Sequence, residues 1–228
     1  PSLTGNPTRF DVDSKAVYLI ETANWQDKII VNGGVRYDDY GLTSANNTQS
    51  RTIDSGMVNY NAGIVFKPLP IGSVYAAYAT SSNPFGSELD ATGTDYGAAP
   101  PAPGVILGPE RNRAAEIGTK WELFERHLLV SGALFQTDKD NARETVGNVL
   151  TSGAAYRIQG IDLEVTGKIT DRWSVFGGLV LMQSKVTQSG IPSNVGLQLA
   201  NIAHQSFSML STYKFDDGWE LGGQAVYR

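Results

Sequence analysis

The 228-residue chain contains no cysteine, which removes disulfide frameworks and thiolate metal sites at once. Histidine is nearly as scarce, with two copies, His127 and His204. Positive charge is in the minority: 18 lysines and arginines face 23 acids, the net charge is −5, and no basic cluster offers a nucleic-acid footprint. Long apolar runs are missing too. No stretch approaches the roughly 18 to 20 residues of a membrane helix, and the opening PSLTGNPTRF has neither the charged region nor the apolar core of a signal peptide. There is no G-x-S-x-G elbow, metal-ligand spacing, phosphate loop or dinucleotide fingerprint, so the motifs supply no catalytic apparatus. None of this excludes a transmembrane barrel, whose strands need only about 9 to 11 residues each.

What the chain has is alternation. Ile29, Val31, Val35 and Tyr37 fall on one face of a strand, with Asn32, Arg36, Asp38 and Tyr40 on the other. Further on, Ala115, Ile117, Thr119, Trp121 and Leu123 oppose Glu116, Gly118, Lys120 and Glu122, and Ile161, Leu163 and Val165 oppose Asp162, Glu164 and Thr166. In 128–137 and 173–184 both faces are apolar, and the pattern leaves their facing open. About ten strands of roughly 9 to 16 residues follow from this reading. Their connections alternate in length. Short turns fall at 24–27, 67–72, 124–127, 170–172 and 216–218, and longer loops at 41–57, 82–112, 147–153 and 185–203. An outer-membrane barrel sorts its connections in this way, with short turns on one side and long loops on the other.

The four tryptophans sharpen the picture. Trp25, Trp121, Trp173 and Trp219 each lie in or beside a short turn, so an up-and-down sheet gathers them along one rim as a membrane girdle. Tyr37, Tyr40, Tyr60 and Tyr78 lie further along their strands and are candidates for the opposite girdle. The same topology puts His127 and His204 on opposite rims, roughly 30 Å apart, so they share no site. Ser206 lies so close to His204 in sequence that a local turn contact accounts for the pair. Glu116, Glu122, Asp162 and Glu164 read as lumen-facing carboxylates paired with Lys120 and Lys168, because barrel interiors are polar.

Several runs carry a family resemblance. PERNR, followed by EIGTKWELFERHLLVSGALFQTDKDNAR and then RIQGIDLEVTGKITDRWSVFGG, resembles the second half of the barrel of TonB-dependent siderophore receptors, most of all those for ferric catecholates. YAAYATSSNPFG upstream and NIAHQSFSMLSTY downstream keep the family's order, so the resemblance covers nearly the whole chain. Two departures stand out: Ala203 where the family commonly has proline, and Leu210 where it often has tryptophan.

The resemblance implies an all-β fold, an antiparallel up-and-down transmembrane β-barrel in the outer membrane of a Gram-negative bacterium. Residues 1–228 would supply about ten strands, nine to eighteen, of a 22-stranded barrel. The plug domain and the segment that engages the TonB complex would lie outside this chain, and a ten-stranded sheet alone would leave two unpaired edges that lipid cannot satisfy. The implied partners are a ferric siderophore, outer-membrane lipid and TonB, with no nucleic acid. No enzyme activity and no protein-held cofactor or metal are implied, since iron arrives inside its carrier. A ferric catecholate is anionic and aromatic, so arginines and aromatic rings on the long-loop side are the candidate ligand contacts. They are Phe85, Tyr96, Arg111, Arg113, Arg143 and Tyr156; the PERNR run is also a candidate for setting loop conformation. The alternatives are a passive or structural barrel of about ten strands, whose first and last strands would have to pair, an outer-membrane lipase, and a receptor for haem, cobalamin or a sugar. The end of the chain at Trp219 to Arg228, without a terminal aromatic, counts against a closed small barrel.

Overall fold

The computed structural model of the protein describes residues 9–45, 50–85, 107–147 and 149–228. They form one sheet of ten strands in which every strand pairs, antiparallel, with its neighbours in sequence. These are β1 (Arg9–Trp25), β2 (Ile29–Ala45), β3 (Ser50–Leu69), β4 (Gly72–Asn83), β5 (Glu110–Leu123), β6 (Leu128–Val146), β7 (Val149–Lys168), β8 (Trp173–Gln188), β9 (Gln205–Lys214) and β10 (Glu220–Tyr227). A single 3₁₀ turn, Pro192–Asn194, interrupts the connection from β8 to β9. Among the described residues β1 and β10 each have one paired edge, so the sheet does not close on itself.

Period-two alternation divides the sheet into two faces. One exposes Val17, Leu19, Val35, Ile64, Ile117 and Leu134, all at 46% or more, a surface that only hydrocarbon can cover. The other carries Arg36, Asp38, Glu116, Lys120, Asp162 and Glu164 and faces the lumen, with Ile20, Val65, Phe135 and Phe176 interspersed. The register settles the strands whose sequence left the facing open. In β6, Val130 and Leu134 point outward with Trp121 and Ile117 of β5, and Phe135 points inward with Glu116. In β8, Leu179 and Leu181 lie outward beside Leu163 and Ile161, and Val180 and Met182 lie inward.

All four tryptophans stand at the short-turn end on the outward side, and Trp25 and Trp219 are more than 70% exposed. Trp173 donates its Nε1–H to Ser211 Oγ at 2.8 Å. Trp121 lies flat over Gly72, where a Cβ would come within 2.3 Å of the ring, so glycine is what allows the indole to cover the strand. The turns below are tight. Gln26 and Asp27 adopt φ of 53° in one, and in another Gly218, at φ 83°, supplies the left-handed residue.

Two expected loops are largely strand. β2 runs on to Ala45 and β3 begins at Ser50, pairing Ala45 with Ser50, so the reading of 41–57 as loop is corrected. Likewise β7 starts at Val149, so 149–153 of the expected loop 147–153 is strand, paired with the end of β6. Beyond the lipid band the outer face has no hydrocarbon to meet, so the apolar alternation fades while the backbone ladder continues. Tyr37, Tyr60 and Tyr78 lie on the outer face, Tyr60 and Tyr78 stacked at 6.0 Å. Tyr40 does not join them. It faces the lumen and is buried with Leu42, Met57, Phe85 and Leu107, a small apolar cluster inside the wall at its long-connection end.

Candidate functional site

The site is built at that end, where the start of β5 meets the bulged end of β6. Glu110 is 7% exposed, and its carboxylate accepts hydrogen bonds from Asn83 Nδ2 at 3.1 Å, Lys139 Nζ at 3.2 Å and the Arg143 backbone N–H at 3.1 Å. Burial alone would push its pKa up; these bonds, together with the Lys139 charge, outweigh that and hold it below the ordinary carboxylate value. Register shifts on either side of Ala142 turn the Arg143 amide toward Glu110. The Arg143 guanidinium lies over the Phe85 ring, 5.2 Å from its centroid, and its Nη2 reaches the Asn83 carbonyl at 3.4 Å. Its Nε is buried and has no hydrogen-bond acceptor among the described residues.

Beside this group the ladder between β3 and β4 stops at Asn61 and Ala79, although both strands continue. Side chains bridge the gap. The Tyr60 N–H donates to Thr80 Oγ1 at 2.9 Å, and Ser82 Oγ donates to Asn59 Oδ1 at 3.0 Å. A recess of about 440 Å³ opens there, lined by Arg36, Asp38, Tyr40, Met57, Asn59 and Ser81 among others. On the far side Glu144 fastens the β8–β9 connection, accepting from Ser189 Oγ at 2.7 Å and from the Gly190 N–H at 2.5 Å.

The six residues singled out from the sequence do not form one group. Phe85, Arg143 and Tyr156 are on the lumen side, Phe85 only 1% exposed and packed beneath Arg143. Arg111 and Arg113 share the parity of Ile117 on β5 and point outward, with Arg113 ion-paired to Asp140. Tyr96 lies outside the described residues. The sequence reading missed Glu110, Asn83 and Lys139. The signal for Glu110 was available, since it is the acid of PERNR and shares parity with Glu116.

Lower on the inner wall, Glu116 accepts from Tyr75 Oη–H at 2.5 Å, and Glu164 accepts from Ser131 Oγ at 3.3 Å. The expected pairing with lysines is not formed. Lys120 sits 5.5 Å over the Tyr75 ring instead, and no ion pair joins Asp162 or Glu164 to Lys120 or Lys168 among the described residues. His127 contacts the Phe124 carbonyl in a short turn, while His204 meets the Met182 carbonyl at the opposite end. Among the described residues no group of three or more His, Asp or Glu side chains is arranged to hold a metal ion.

An open antiparallel sheet with a lipid-ready outer face, an aromatic rim and a polar inner wall is part of a transmembrane β-barrel of the bacterial outer membrane. The chain belongs to the TonB dependent receptor-like, beta-barrel family, whose family model matches residues 1–228. It is 34% identical over 98% of its length to the probable TonB-dependent receptor BfrD of Bordetella pertussis, and 32% identical over 95% to the probable TonB-dependent siderophore receptor PiuA of Acinetobacter baumannii. It spans about a third of the length of each, 31%. The crystal structure of the siderophore receptor PiuA from A. baumannii superposes with a TM-score of 0.86 at 28% identity, covering 96% of this chain and 34% of that one. The closed form of the ferric-catecholate import receptor Fiu from E. coli shares the fold, with a TM-score of 0.80 over 96% of this chain and 34% of its own. The family is one of transport receptors.

Proposed function

We propose that this chain is a section of wall of a TonB-dependent receptor that imports a ferric siderophore, of the catecholate type. The observation that carries this reading is Arg143. A buried guanidinium N–H without an acceptor costs about 1–3 kcal/mol, and an anionic oxygen arriving from the lumen satisfies it. Arg143 is fixed by Glu110 and Phe85 beside a recess lined by Arg36, Tyr40 and Asn59, and Tyr156 faces the same lumen. Cations with aromatic surface suit an anionic, ring-bearing iron complex. The names of PiuA and Fiu, a siderophore receptor and a ferric-catecholate import receptor, support the same ligand class. The wall performs no chemistry on its ligand, and the iron enters as part of the cargo with no resident cofactor. The plug and the contact with the TonB complex belong to other parts of the receptor.

The test is equilibrium binding of a ferric catecholate to the full receptor carrying Arg143→Ala or Tyr156→Ala. Loss of one charge-assisted hydrogen bond predicts a Kd about tenfold higher for Arg143→Ala. An unchanged Kd in both variants would remove this site. Haem, cobalamin or an oligosaccharide binding more tightly than the catecholate would move the receptor to another ligand.

A further inference from the structure

The break in the ladder between β3 and β4 leaves backbone groups of both strands facing each other across a seam. The Tyr60 N–H points at β4, where it donates to Thr80 Oγ1 at 2.9 Å, and the same hydroxyl donates back to the Tyr60 carbonyl at 3.3 Å. One threonine side chain stands in for a peptide group. Residues two apart on a strand direct their backbone groups the same way, so those of Val58 and Gly56 also face β4. On β4 the last regular pairs are Tyr78 with Ala62 and Ala79 with Asn61, which directs the groups of Tyr78, and with them those of Thr80 and Ser82, toward β3. No backbone pair joins Val58 or Gly56 to Thr80 or Ser82 among the described residues. The far sides of both strands are intact, β3 pairing with β2 up to Ser50 and β4 with β5 up to Asn83.

The recess of about 440 Å³ lies in this seam, lined by Met57 and Asn59 on one side and by Thr80, Ser81, Ser82 and Pro84 on the other. Its chemistry is neutral. Arg36 and Asp38 are the charged residues of its lining, and they close on each other at 2.6 Å. Its other polar side chains are hydroxyls and one amide, groups that both donate and accept. The open edges add N–H and C=O groups at intervals of about 7 Å, which is the repeat of an extended chain of secondary amides. A sugar has no such repeat, and a free anion finds no net charge. Strand addition is the recognition mode that an open edge supports.

The seam adjoins the candidate site. Tyr40 and Met57 line the recess and pack against Phe85, on whose ring the Arg143 guanidinium lies. An iron complex held at Arg143 therefore has the recess beside it for whatever linker it carries.

We propose that the β3–β4 seam binds the linker of the cargo by strand addition. An extended run of about three secondary amides, about 10 Å long, pairs with the open groups of Val58 and Ser82 while the catecholate iron centre sits at Arg143. The inference rests on the reading of this chain as part of a ferric catecholate receptor, and adds that the receptor reads the backbone of a peptide-like scaffold. The side chains of that scaffold are free to vary, whereas its N–H groups are not.

Equilibrium binding to the full receptor tests this with three ferric complexes. They are those of dihydroxybenzoyl-triglycinamide, of dihydroxybenzoyl-trisarcosinamide, in which N-methyl replaces each glycine N–H, and of a glucosylated dihydroxybenzamide. The triglycinamide complex is expected to bind about tenfold more tightly than the trisarcosinamide one, the worth of one or two net hydrogen bonds. Asn59→Cys with Ser82→Cys joins side chains that meet at 3.0 Å across the seam, in a chain with no cysteine of its own. Once that disulfide is formed the preference is expected to fall below about threefold, and reduction to restore it. Val58→Pro asks the same question without a cross-link, since it deletes an N–H that faces β4 and takes no part in the ladder to β2. Arg143→Ala should weaken both peptide complexes alike and leave their ratio unchanged. Equal affinity of the two peptide complexes, or a preference that survives both the disulfide and Val58→Pro, overturns the proposal and leaves the assignment of Arg143 standing. Tighter binding of the glucosylated complex gives the recess to a sugar and overturns it as well. If none of the three binds, the catecholate reading falls and this inference falls with it.

Discussion

The most decisive perturbation of the wall is Glu110→Ala. Glu110 accepts from three donors, Asn83 Nδ2, Lys139 Nζ and the Arg143 N–H, at 3.1 to 3.2 Å from a nearly closed environment. Removing the carboxylate abandons all three. Lys139, with about a third of its side chain exposed, recovers water, whereas Asn83 and the Arg143 amide are less able to. Charging one buried donor in full and the other two in part gives a local cost of about 2–4 kcal/mol at neutral pH. The effect is local, so the assay is hydrogen exchange at the Lys139 and Arg143 amides of the full receptor, where this cost appears as exchange about 30-fold or more faster. The sign with pH is fixed by the lowered pKa. A carboxylate depressed in the folded state contributes stability that is complete above the unfolded value of 4.5 and is lost as pH falls through the folded value. The gap between wild type and variant should therefore narrow as the pH is taken from 7 to 2.5. A gap below threefold at pH 7, or one that keeps its full size in acid, would refute the reasoning.

Gly160→Ala should be poorly tolerated, because a Cβ there meets the Leu181 carbonyl oxygen at 2.3 Å and the Met182 Cα at 3.0 Å, both backbone. A cost of about 1–3 kcal/mol is expected, read as a lower midpoint temperature in heat-modifiable electrophoretic mobility. Gly223→Ala, with nothing within 4 Å, should leave that midpoint where it is. The tryptophan rim predicts that indole fluorescence is quenched more by lipids brominated near the headgroup than by lipids brominated at the chain ends. Stronger quenching from the chain ends would place Trp25, Trp121, Trp173 and Trp219 at mid-membrane and break the girdle assignment.

Much of the fold was legible because lipid on one side and a polar lumen on the other impose period two on the sequence. β2, β5 and β7 announce their faces residue by residue, and the short turns and their tryptophans announce one rim. Legibility ends where the two-solvent contrast ends. Leu42, Ile53 and Met57 are the apolar residues of the upper β2–β3 hairpin, too few to show a period, yet the ladder there is unbroken. The candidate site was less legible for a related reason. Arginine and tyrosine are chemically apt for an anionic aromatic ligand, but aptness says nothing of facing. Counting back in twos from Ile117 puts Arg113 and Arg111 outside, a step the residue types alone do not prompt. Arg143 defeats such counting, because the register shifts beside Ala142 break the parity before it. Lys120 was assigned to a carboxylate on the strength of charge, whereas it sits over the face of Tyr75.

The gap in the ladder between β3 and β4 has a mechanical consequence. Below Asn61 and Ala79 backbone hydrogen bonds join β3 to β4 down to Phe66 and Val74, and a load on either strand is shared with the other. Above that level β3 belongs with β1 and β2, β4 belongs with β5 to β8, and among the described residues side chains join the two panels: the hydrogen bonds of Thr80 and Ser82, and the packing of Phe85 against Tyr40, Leu42 and Met57. Side chains can exchange partners with water one at a time, whereas a ladder must unzip cooperatively. The mouth of the wall is therefore scored along one line, and Phe85, packed across it against Tyr40, Leu42 and Met57, is the point through which a tilt of one panel reaches the other.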